Sequence, residues 1–377
     1  MFRHIADNLT AWHSQQQRDL PWRSGPPGAR DAYAVWVSEV MAQQTQLTVV
    51  VDYFNRWMER FPTVEELARA DQQEVLKLWE GLGYYSRARN LHRAAQMVCD
   101  EFGGRLPRTR QALLQLPGVG EYTAGAILSL AFGLTEPILD ANARRVFSRL
   151  WDIDESIALG STEKRLWRLA RQLVEATDRP GAVNEGLMEL GALVCRPRNP
   201  HCGDCPLRSH CLACKRGVQD MRPVRPPRED VPHIEVAAAI IWEGAPGASR
   251  LLISQRPEKG LLGGLWSFPN GAMDAADKDL RACLRRAIRQ ALGVPIDVGE
   301  QVASVEHGFT HFRMTLSAFH ARICAGTPRA VGVSDWRWTT LDEIEQFPCP
   351  VPDRKIIRAL RNLLEEAKTP TNALPIH

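Results

Sequence analysis

The sequence predicts two folded bodies in one chain, an all-α half followed by an α+β half. Three observations carry this expectation. Apolar residues recur at helical spacing from Asp31 to about Met221. Between Lys215 and Pro232 the chain then places Pro223, Pro226, Pro227 and Pro232 among charged residues, a composition that neither packs as a helix nor buries apolar area. Beyond that stretch the apolar period becomes alternating. The length of 377 residues agrees, being well above the roughly 150 of one typical domain.

In the first half, Tyr33, Trp36, Val37, Val40 and Met41 form one helical face, and Leu76, Trp79 and Leu82 another. Phe61-Pro62-Thr63 and Gly103-Gly104 are expected breaks, and Ser161 and Thr162 after Gly160 read as a helix N-cap. In the second half Val236 to Trp242, Leu251 to Ser254 and Val302 to Phe319 read as strands. Leu280 to Leu292 is the clear helix between them, and a second helix from about Ile356 to Ala367 closes the domain. The expected division is a helical domain over 1–222, a linker over 223–233, an α+β domain over 234–367 and a loose tail over 368–377.

Hydrophobic residues make up 44% and charged residues 24% of the chain, values that exclude disordered, collagenous and coiled-coil classes. No apolar run approaches the ~18 residues of a spanning helix. Met1 to Arg23 carries Arg3, His4, Asp7 and three glutamines where a secretory signal needs an unbroken apolar stretch. The expectation is a cytoplasmic protein with no membrane partner. The net charge of +3 decides little, because charge acts through where it lies.

Nine cysteines, an odd number, argue against a disulfide framework. Cys99, Cys283, Cys324 and Cys349 stand alone, whereas Cys195, Cys202, Cys205 and Cys211 crowd together with Pro197, Pro200 and Pro206 between them. Four soft thiolates at such intervals suit zinc or an iron–sulfur cluster. Zinc sites usually use paired C-x2-C knuckles, and only one such interval occurs here, so iron–sulfur is favoured. Around them Arg196, Arg198, Arg208, Lys215, Arg216, Arg222, Arg225 and Arg228 face only Asp204 and Asp220, a composition that suits phosphates. Cys214 is surplus to the pattern and reads as a plain thiol.

Two further features suggest chemistry. Leu116-Pro117-Gly118-Val119-Gly120 stands between helical stretches, where two glycines turn the chain and leave N–H groups at a helix N-terminus. Twenty residues on, Asp140 precedes a helical stretch and would serve at least as its N-cap. At helical spacing, Glu39, Gln43 and Gln46 form a polar stripe beside Trp36 and Val40, which reads as a lined pocket.

The cysteine intervals resemble the [4Fe-4S] loop of the endonuclease III superfamily of DNA glycosylases. The hairpin, Asp140 and the cysteine loop, in that order, resemble its helix-hairpin-helix signature. Trp36 to Gln46, Arg18-Asp19-Leu20-Pro21-Trp22-Arg23, Gly81 to Leu91 and Asn184-Glu185 resemble the MutY family of adenine DNA glycosylases over about residues 5 to 225. That resemblance implies a [4Fe-4S] cluster on Cys195, Cys202, Cys205 and Cys211. It implies Glu39 as the acid that protonates adenine N7 and Asp140 as the stabiliser of the oxocarbenium ion, with Tyr122 and Asn142 in support. Arg18, Leu20, Trp22 and Glu185 would line the base pocket, Gln44 and Tyr84 would wedge the duplex, and Thr45, Gly118 and Gly120 would contact DNA. Tyr85 reads as a core aromatic. Superfamily members that cut the strand carry a lysine where this chain has Tyr122, and a tyrosine cannot form a Schiff base. The implied enzyme is a monofunctional, monomeric hydrolase without efficient abasic-site lyase activity. It would act in base excision repair on double-stranded DNA holding adenine opposite 8-oxoguanine or guanine, at the bacterial nucleoid.

The second half resembles a Nudix fold, which raises hydrolysis of free nucleotides as a rival function. That chemistry needs metal-holding glutamates in a pattern ending R-E-x2-E-E-x-G. Aligned on Leu292-Gly293, this chain has Arg286 at the arginine but Ala287, Gln290 and Ala291 at the carboxylates, so the half reads as a binding module. Phe309-Thr310-His311 resembles the Phe-Ser-His motif with which MutY proteins inspect the base opposite adenine, threonine replacing serine.

Overall fold

The computed structural model describes residues 1–227 and 230–368. The helical period of the first half is realised as α1 (Phe2–Gln16), α2 (Ala32–Ala42), α3 (Leu47–Arg60), α4 (Val64–Arg69), α5 (Gln72–Leu78), α6 (Ser86–Phe102), α7 (Arg110–Gln115), α8 (Glu121–Leu130), α9 (Ala141–Leu150), α10 (Gly160–Glu175), α11 (Pro180–Leu193) and α12 (Leu212–Arg216). Helix ends follow from local chemistry. After Phe61-Pro62, the Thr63 hydroxyl accepts from the Glu66 N–H at 3.3 Å and starts α4. Gly103 and Gly104, both left-handed, stop α6. The N-cap expected at Ser161 and Thr162 is not there: α10 begins at Gly160 behind Leu159, so both hydroxyl residues lie inside its first turn. The polar stripe is also shorter than expected, because α2 ends at Ala42 and Gln46 is the N-cap of α3.

The chain divides into two compact units. The first takes in Met1–Ala70 and the stretch from Asn90 into the linker; the second takes in Asp71–Arg89 and the stretch beyond the linker. In the first unit α11 is the central helix, buried from Pro180 through Gly191 at most positions. Leu187 and Leu190 of α11 pack with Leu9 of α1, Phe147 of α9 and Leu166 and Leu173 of α10. Truncating a side chain as buried as Phe147 to alanine costs about 3 to 5 kcal/mol. This core fixes α9 and α11 against each other, and both carry residues of the site described below.

The second unit contains β1 (His233–Ile241), β2 (Leu251–Gln255), β3 (Trp266–Ser267), β4 (Asn270–Ala272), α13 (Leu280–Leu292), β5 (Ile296–Gly308), β6 (Arg313–Ile323), β7 (Asp335–Thr339) and α14 (Val351–Lys368). One sheet has the order β4-β1-β6-β5, with β1 parallel to β6 and the other pairs antiparallel. The other has the order β3-β2-β7, antiparallel throughout. Ala237, Ala239 and Ile241 of β1 meet Leu284 and Ile288 of α13, while Val236, Ala238 and Ile240 meet Ile356 and Leu360 of α14. Burial on both faces explains the continuous apolar run in β1. The alternation read from Val302 to Phe319 is two strands, with Phe309 to Phe312 as the turn between them, closed by the Phe309 N–H to Phe312 carbonyl bond at 2.8 Å. The last helix begins at Val351, a turn earlier than its apolar residues suggested.

Asp71–Arg89, read from the sequence as part of the helical half, groups with the second unit. There Trp266 Nε1 donates to Gln73 Oε1 at 3.0 Å, Arg89 Nη1 donates to the Gly263 carbonyl at 2.6 Å, and Arg354 pairs with Glu80. Among the described residues no helix is long and apolar enough to cross a membrane. The expected tail beyond 368, and positions 228 and 229 of the linker, lie outside the described residues.

Candidate active site

Within the first unit a cavity of about 730 Å³ opens between α2, α8, α9 and α11. Its wall includes Glu39 from the last turn of α2, Tyr122 from the first turn of α8, and Asp140 and Asn142 at the start of α9. Tyr122 donates its hydroxyl to Glu39 Oε2 at 2.6 Å and lies 3.1 Å from Met188 Sδ. Asp140 is the N-cap of α9, its Oδ1 accepting from the Ala143 N–H at 2.7 Å. The capping role and a place on the cavity wall therefore coexist in one side chain.

The two carboxylates sit in different surroundings. Burial pushes Glu39 up to about 7; the Tyr122 bond opposes the shift, and the charges of Asp140 and Glu185 add to it. Burial also raises Asp140, but the backbone N–H groups of Ala143 and Asn142, the Arg145 guanidinium and the Asn142 side chain pull against that rise. The N-terminus of α9 favours its negative form as well. Burial thus raises both carboxyls, Glu39 to about 7, and Asp140 against backbone N–H groups that favour its charged form.

Sequence reasoning did not find the ionic frame behind this wall. Glu185 on α11 accepts from both terminal nitrogens of Arg30, lies 2.7 Å from Arg23 Nε and 3.6 Å from His13 Nε2. One turn later Glu189 accepts from Arg18 Nε at 2.7 Å, from the Arg18 backbone N–H at 3.0 Å, and from Arg23 Nη2 at 3.0 Å. Burial alone would raise Glu189, but the bonds from Arg18 and Arg23 outweigh it and hold the carboxyl at about 2. Both glutamates are nearly inaccessible and each has two arginine partners, so only the loss of both would strand a buried charge, at a cost of about 3 to 5 kcal/mol. The spacing of Glu185 and Glu189 along one helix face was the available signal.

Leu20 and Trp22 are buried on the same cavity wall, with the Trp22 ring edge-on to Phe54 at 5.2 Å. Gln44, Thr45, Gly118 and Gly120 line its rim. Gly118 has φ +79°, the left-handed turn of the expected hairpin, and Gly120 is the N-cap of α8. Gln44 (φ +58°) and Tyr84 (φ +46°) are non-glycine residues held in that same region, the kind of strain found at functional sites. In the second unit Tyr84 is half-exposed and its hydroxyl bonds to that of Thr310, whereas Tyr85 is buried. Thr310 and His311 are exposed at the β5–β6 turn, and Phe309 below them stacks on Phe312 at 4.5 Å. On α13, Ala287 lies so close to β4 that a Cβ on Gly271 would sit 2.4 Å from its own. Position 287 thus presents a methyl group and no carboxylate to β4.

Cys195, Cys202, Cys205 and Cys211 line one pocket, together with Cys214, Arg149 and Arg208. Among the described residues no three or more His, Cys, Asp or Glu side chains gather around a single-ion position. The pocket offers soft donors on several sides, the donor set of iron–sulfur sites. Burial raises Cys205 to about 12 and Cys202 to about 11, and neighbouring thiols add to both, so these groups are neutral thiols unless a cation such as iron offsets the charge of their thiolates. Arg149 binds the loop through Cys195 Sγ at 3.3 Å and the Arg196 carbonyl at 2.7 Å. Arg145, on the same helix, bonds the Cys195 carbonyl at 2.7 Å and Asn142 Oδ1 at 2.8 Å. Two arginines of the loop, the exposed Arg216 and the half-buried Arg222, both pair with Asp152.

Comparison with known proteins finds three family matches along the chain. Residues 37–172 match the HhH-GPD superfamily of base excision DNA repair proteins, 195–211 the iron-sulfur binding domain of endonuclease III, and 237–359 the NUDIX domain. The adenine DNA glycosylase of Rattus norvegicus is 36% identical over 95% of this chain and 79% of its own length. The Homo sapiens enzyme of that name is also 36% identical, over 95% and 75%. The one from Buchnera aphidicola subsp. Schizaphis graminum is 29% identical over 94% and 97%. Among solved structures, a thermostable thymine-DNA glycosylase is 30% identical, with a TM-score of 0.50 over 57% of this chain and 97% of its own. Its name carries a different base, so the shared fold does not by itself select adenine. The full-length relatives do: with a helix-hairpin-helix repair domain, an iron–sulfur-binding loop and a Nudix-like domain, this chain belongs to the adenine DNA glycosylase family.

Proposed function

We propose that the chain hydrolyses the N-glycosidic bond of adenine lying opposite 8-oxoguanine or guanine in double-stranded DNA, leaving an abasic strand uncut. The observation that carries this reading is the pair of carboxyls on one cavity: Glu39, pushed up to about 7 and bonded by Tyr122, and Asp140 at the N-terminus of α9. Breaking the bond needs a proton on the departing base and negative charge near the sugar. Glu39 is suited to the first task at neutral pH, and ionised Asp140 to the second. The cavity is wide enough for a flipped base, with Leu20 and Trp22 as its apolar wall and Arg18 and Glu185 as its polar one. Asn142 and Tyr122 hold the two carboxyls and the attacking water in place.

The remaining roles follow the same logic. Gln44 and Tyr84, with their strained backbones, enter the duplex where adenine leaves it, and Thr45, Gly118 and Gly120 meet the backbone phosphates. Phe309, Thr310 and His311, on a hairpin tip, contact the opposite base. Cys195, Cys202, Cys205 and Cys211 hold a [4Fe-4S] cluster, which when bound joins the loop into one rigid body and neutralises its thiolates. Tyr122 at the position of the lyase lysine supports hydrolysis without strand cleavage. We further place the enzyme in the cytoplasm, at the nucleoid, as a monomer.

The test is a duplex with one adenine opposite 8-oxoguanine, incubated with the chain and resolved with and without alkali. The expected result is free adenine and strand scission only after alkali. Scission without alkali that disappears on replacing one native lysine contradicts the monofunctional assignment, and intact adenine contradicts the function.

A further inference from the structure

Five cysteines, not four, line the pocket of the iron–sulfur loop. The four of the family interval are Cys195, Cys202, Cys205 and Cys211; the fifth, Cys214, sits on α12 one turn after Cys211, the N-cap of that helix. Residues three apart on a helix share a face, so Cys214 points into the same pocket as Cys211.

Three of the four family cysteines are gripped by groups other than thiols. Cys195 Sγ accepts from Arg149 Nη1 at 3.3 Å. Cys211 Sγ lies 3.4 Å from the Arg149 carbonyl and accepts from N–H groups at the start of α12. Cys205 Sγ accepts from the Leu207 N–H. Cys202 differs: the neighbouring group that acts on it most is the Cys214 thiol in the same pocket, and it sits on a short turn, Cys202–Asp204, where Gly203 has open space around it. The two thiols therefore line one pocket, one from a short turn and one from a helix.

We propose that Cys214 is a reserve ligand of the iron–sulfur cluster, placed to bind the iron that Cys202 otherwise holds. The inference rests on the cluster reading given above. In the exchange one Fe–S(cysteine) bond replaces another: Cys214 binds as thiolate and gives its proton to solvent, and the displaced Cys202 takes one up. No electron moves and the iron–sulfide core is unchanged.

The test uses the full-length chain and four variants: Cys202→Ala, Cys214→Ala, Cys202→Ala/Cys214→Ala and Cys205→Ala. Alanine removes any oxygen ligand that serine would supply. Iron and sulfide per chain and visible charge-transfer absorption are measured on protein purified without air. A second readout is alkylation of the native, loaded protein by iodoacetamide, located by peptide mass spectrometry. The expected result is near-wild-type iron in Cys214→Ala, at least about half in Cys202→Ala, and a loss of about five-fold or more in the double variant and in Cys205→Ala. Cys214 is alkylated in the loaded wild type and protected in loaded Cys202→Ala.

Cys202→Ala as empty as the double variant, or recovered only as insoluble protein like Cys205→Ala, overturns the inference. So does Cys214 that stays reactive in loaded Cys202→Ala. Loss of iron from Cys214→Ala alone overturns it in another way, by making Cys214 a primary ligand. A wild type free of iron and sulfide overturns the cluster reading itself, whereas a loaded wild type with an empty Cys202→Ala overturns only the reserve role.

Discussion

Replacing Glu39 by glutamine is expected to stabilise the protein while removing its chemistry. Glu39 stands at about 7 against an ordinary 4.5, chiefly because burial disfavours its charged form. At 1.36 kcal/mol per pH unit, that difference corresponds to roughly 3 kcal/mol. The folded chain holds this proton more tightly than the unfolded chain does. Stability is therefore full below about 4.5, falls as the pH rises through about 7, and stays reduced above it. Glutamine never ionises, and its carbonyl still accepts the Tyr122 hydroxyl that now lies 2.6 Å from Glu39 Oε2. Glu39→Gln should then gain ~1 to 3 kcal/mol near pH 8, or ~3 to 10 °C in melting temperature for a unit of this size, and almost nothing near pH 4.5. Calorimetric melting of both full-length proteins across that range reads the difference directly. A variant less stable than wild type near pH 8, or a gain equal at all pH values, refutes the claim that Glu39 is a strained, proton-holding carboxyl.

The excision rate should fall as the pH rises through about 7, as Glu39 loses its proton, and fall on the acid side with a midpoint above the ordinary aspartate value of 3.8, as Asp140 gains one. A single-turnover rate that climbs steadily above pH 7 contradicts that assignment. Gly191→Ala places a Cβ 2.5 Å from the Cβ of Asn142, so it should cost ~1 to 3 kcal/mol of stability and slow excision ~10-fold or more. Gly160→Ala, with open space around it, is the control for which melting and rate stay near wild type. Thr310→Ala should reduce the preference for adenine opposite 8-oxoguanine over guanine by ~1 kcal/mol, about five-fold, in paired single-turnover assays; unchanged discrimination removes Thr310 from lesion recognition.

What the sequence made legible were patterns local in the chain. The period of Trp36, Val37, Val40 and Met41, all buried, placed Glu39 on a helix, and the glycines at 118 and 120 placed a turn ahead of Tyr122. The extent of α13 was readable because Asp279 caps it and Gly293 ends it in a left-handed turn. What escaped were consequences of packing between distant segments. Glu189 meets Arg18 across 171 positions and Arg30 meets Glu185 across 155, and no window of sequence contains either pair. Gly191 reads as an ordinary helical glycine until α9 is laid against it. Ser161 and Thr162 looked like caps because their hydroxyls suit the role, but α10 starts a residue or two before them. Cys214 fell outside the familiar interval, and only the fold of α12 brings it to the other four cysteines. Likewise nothing local marks Asp71–Arg89 as partners of Trp266, Gly263 and Arg354.

The central claim is that Glu39 and Asp140 act together on adenine, one as acid and one as anion. Its most direct test is the single-turnover release of free adenine from a duplex with adenine opposite 8-oxoguanine, measured alongside duplex affinity, for wild type, Glu39→Gln and Asp140→Asn. Each variant should lose at least ~100-fold in rate while binding the duplex nearly as tightly as wild type, as expected of groups that act mainly in the transition state. A near-normal rate for either variant, or a rate loss matched by an equal loss of affinity, would contradict it.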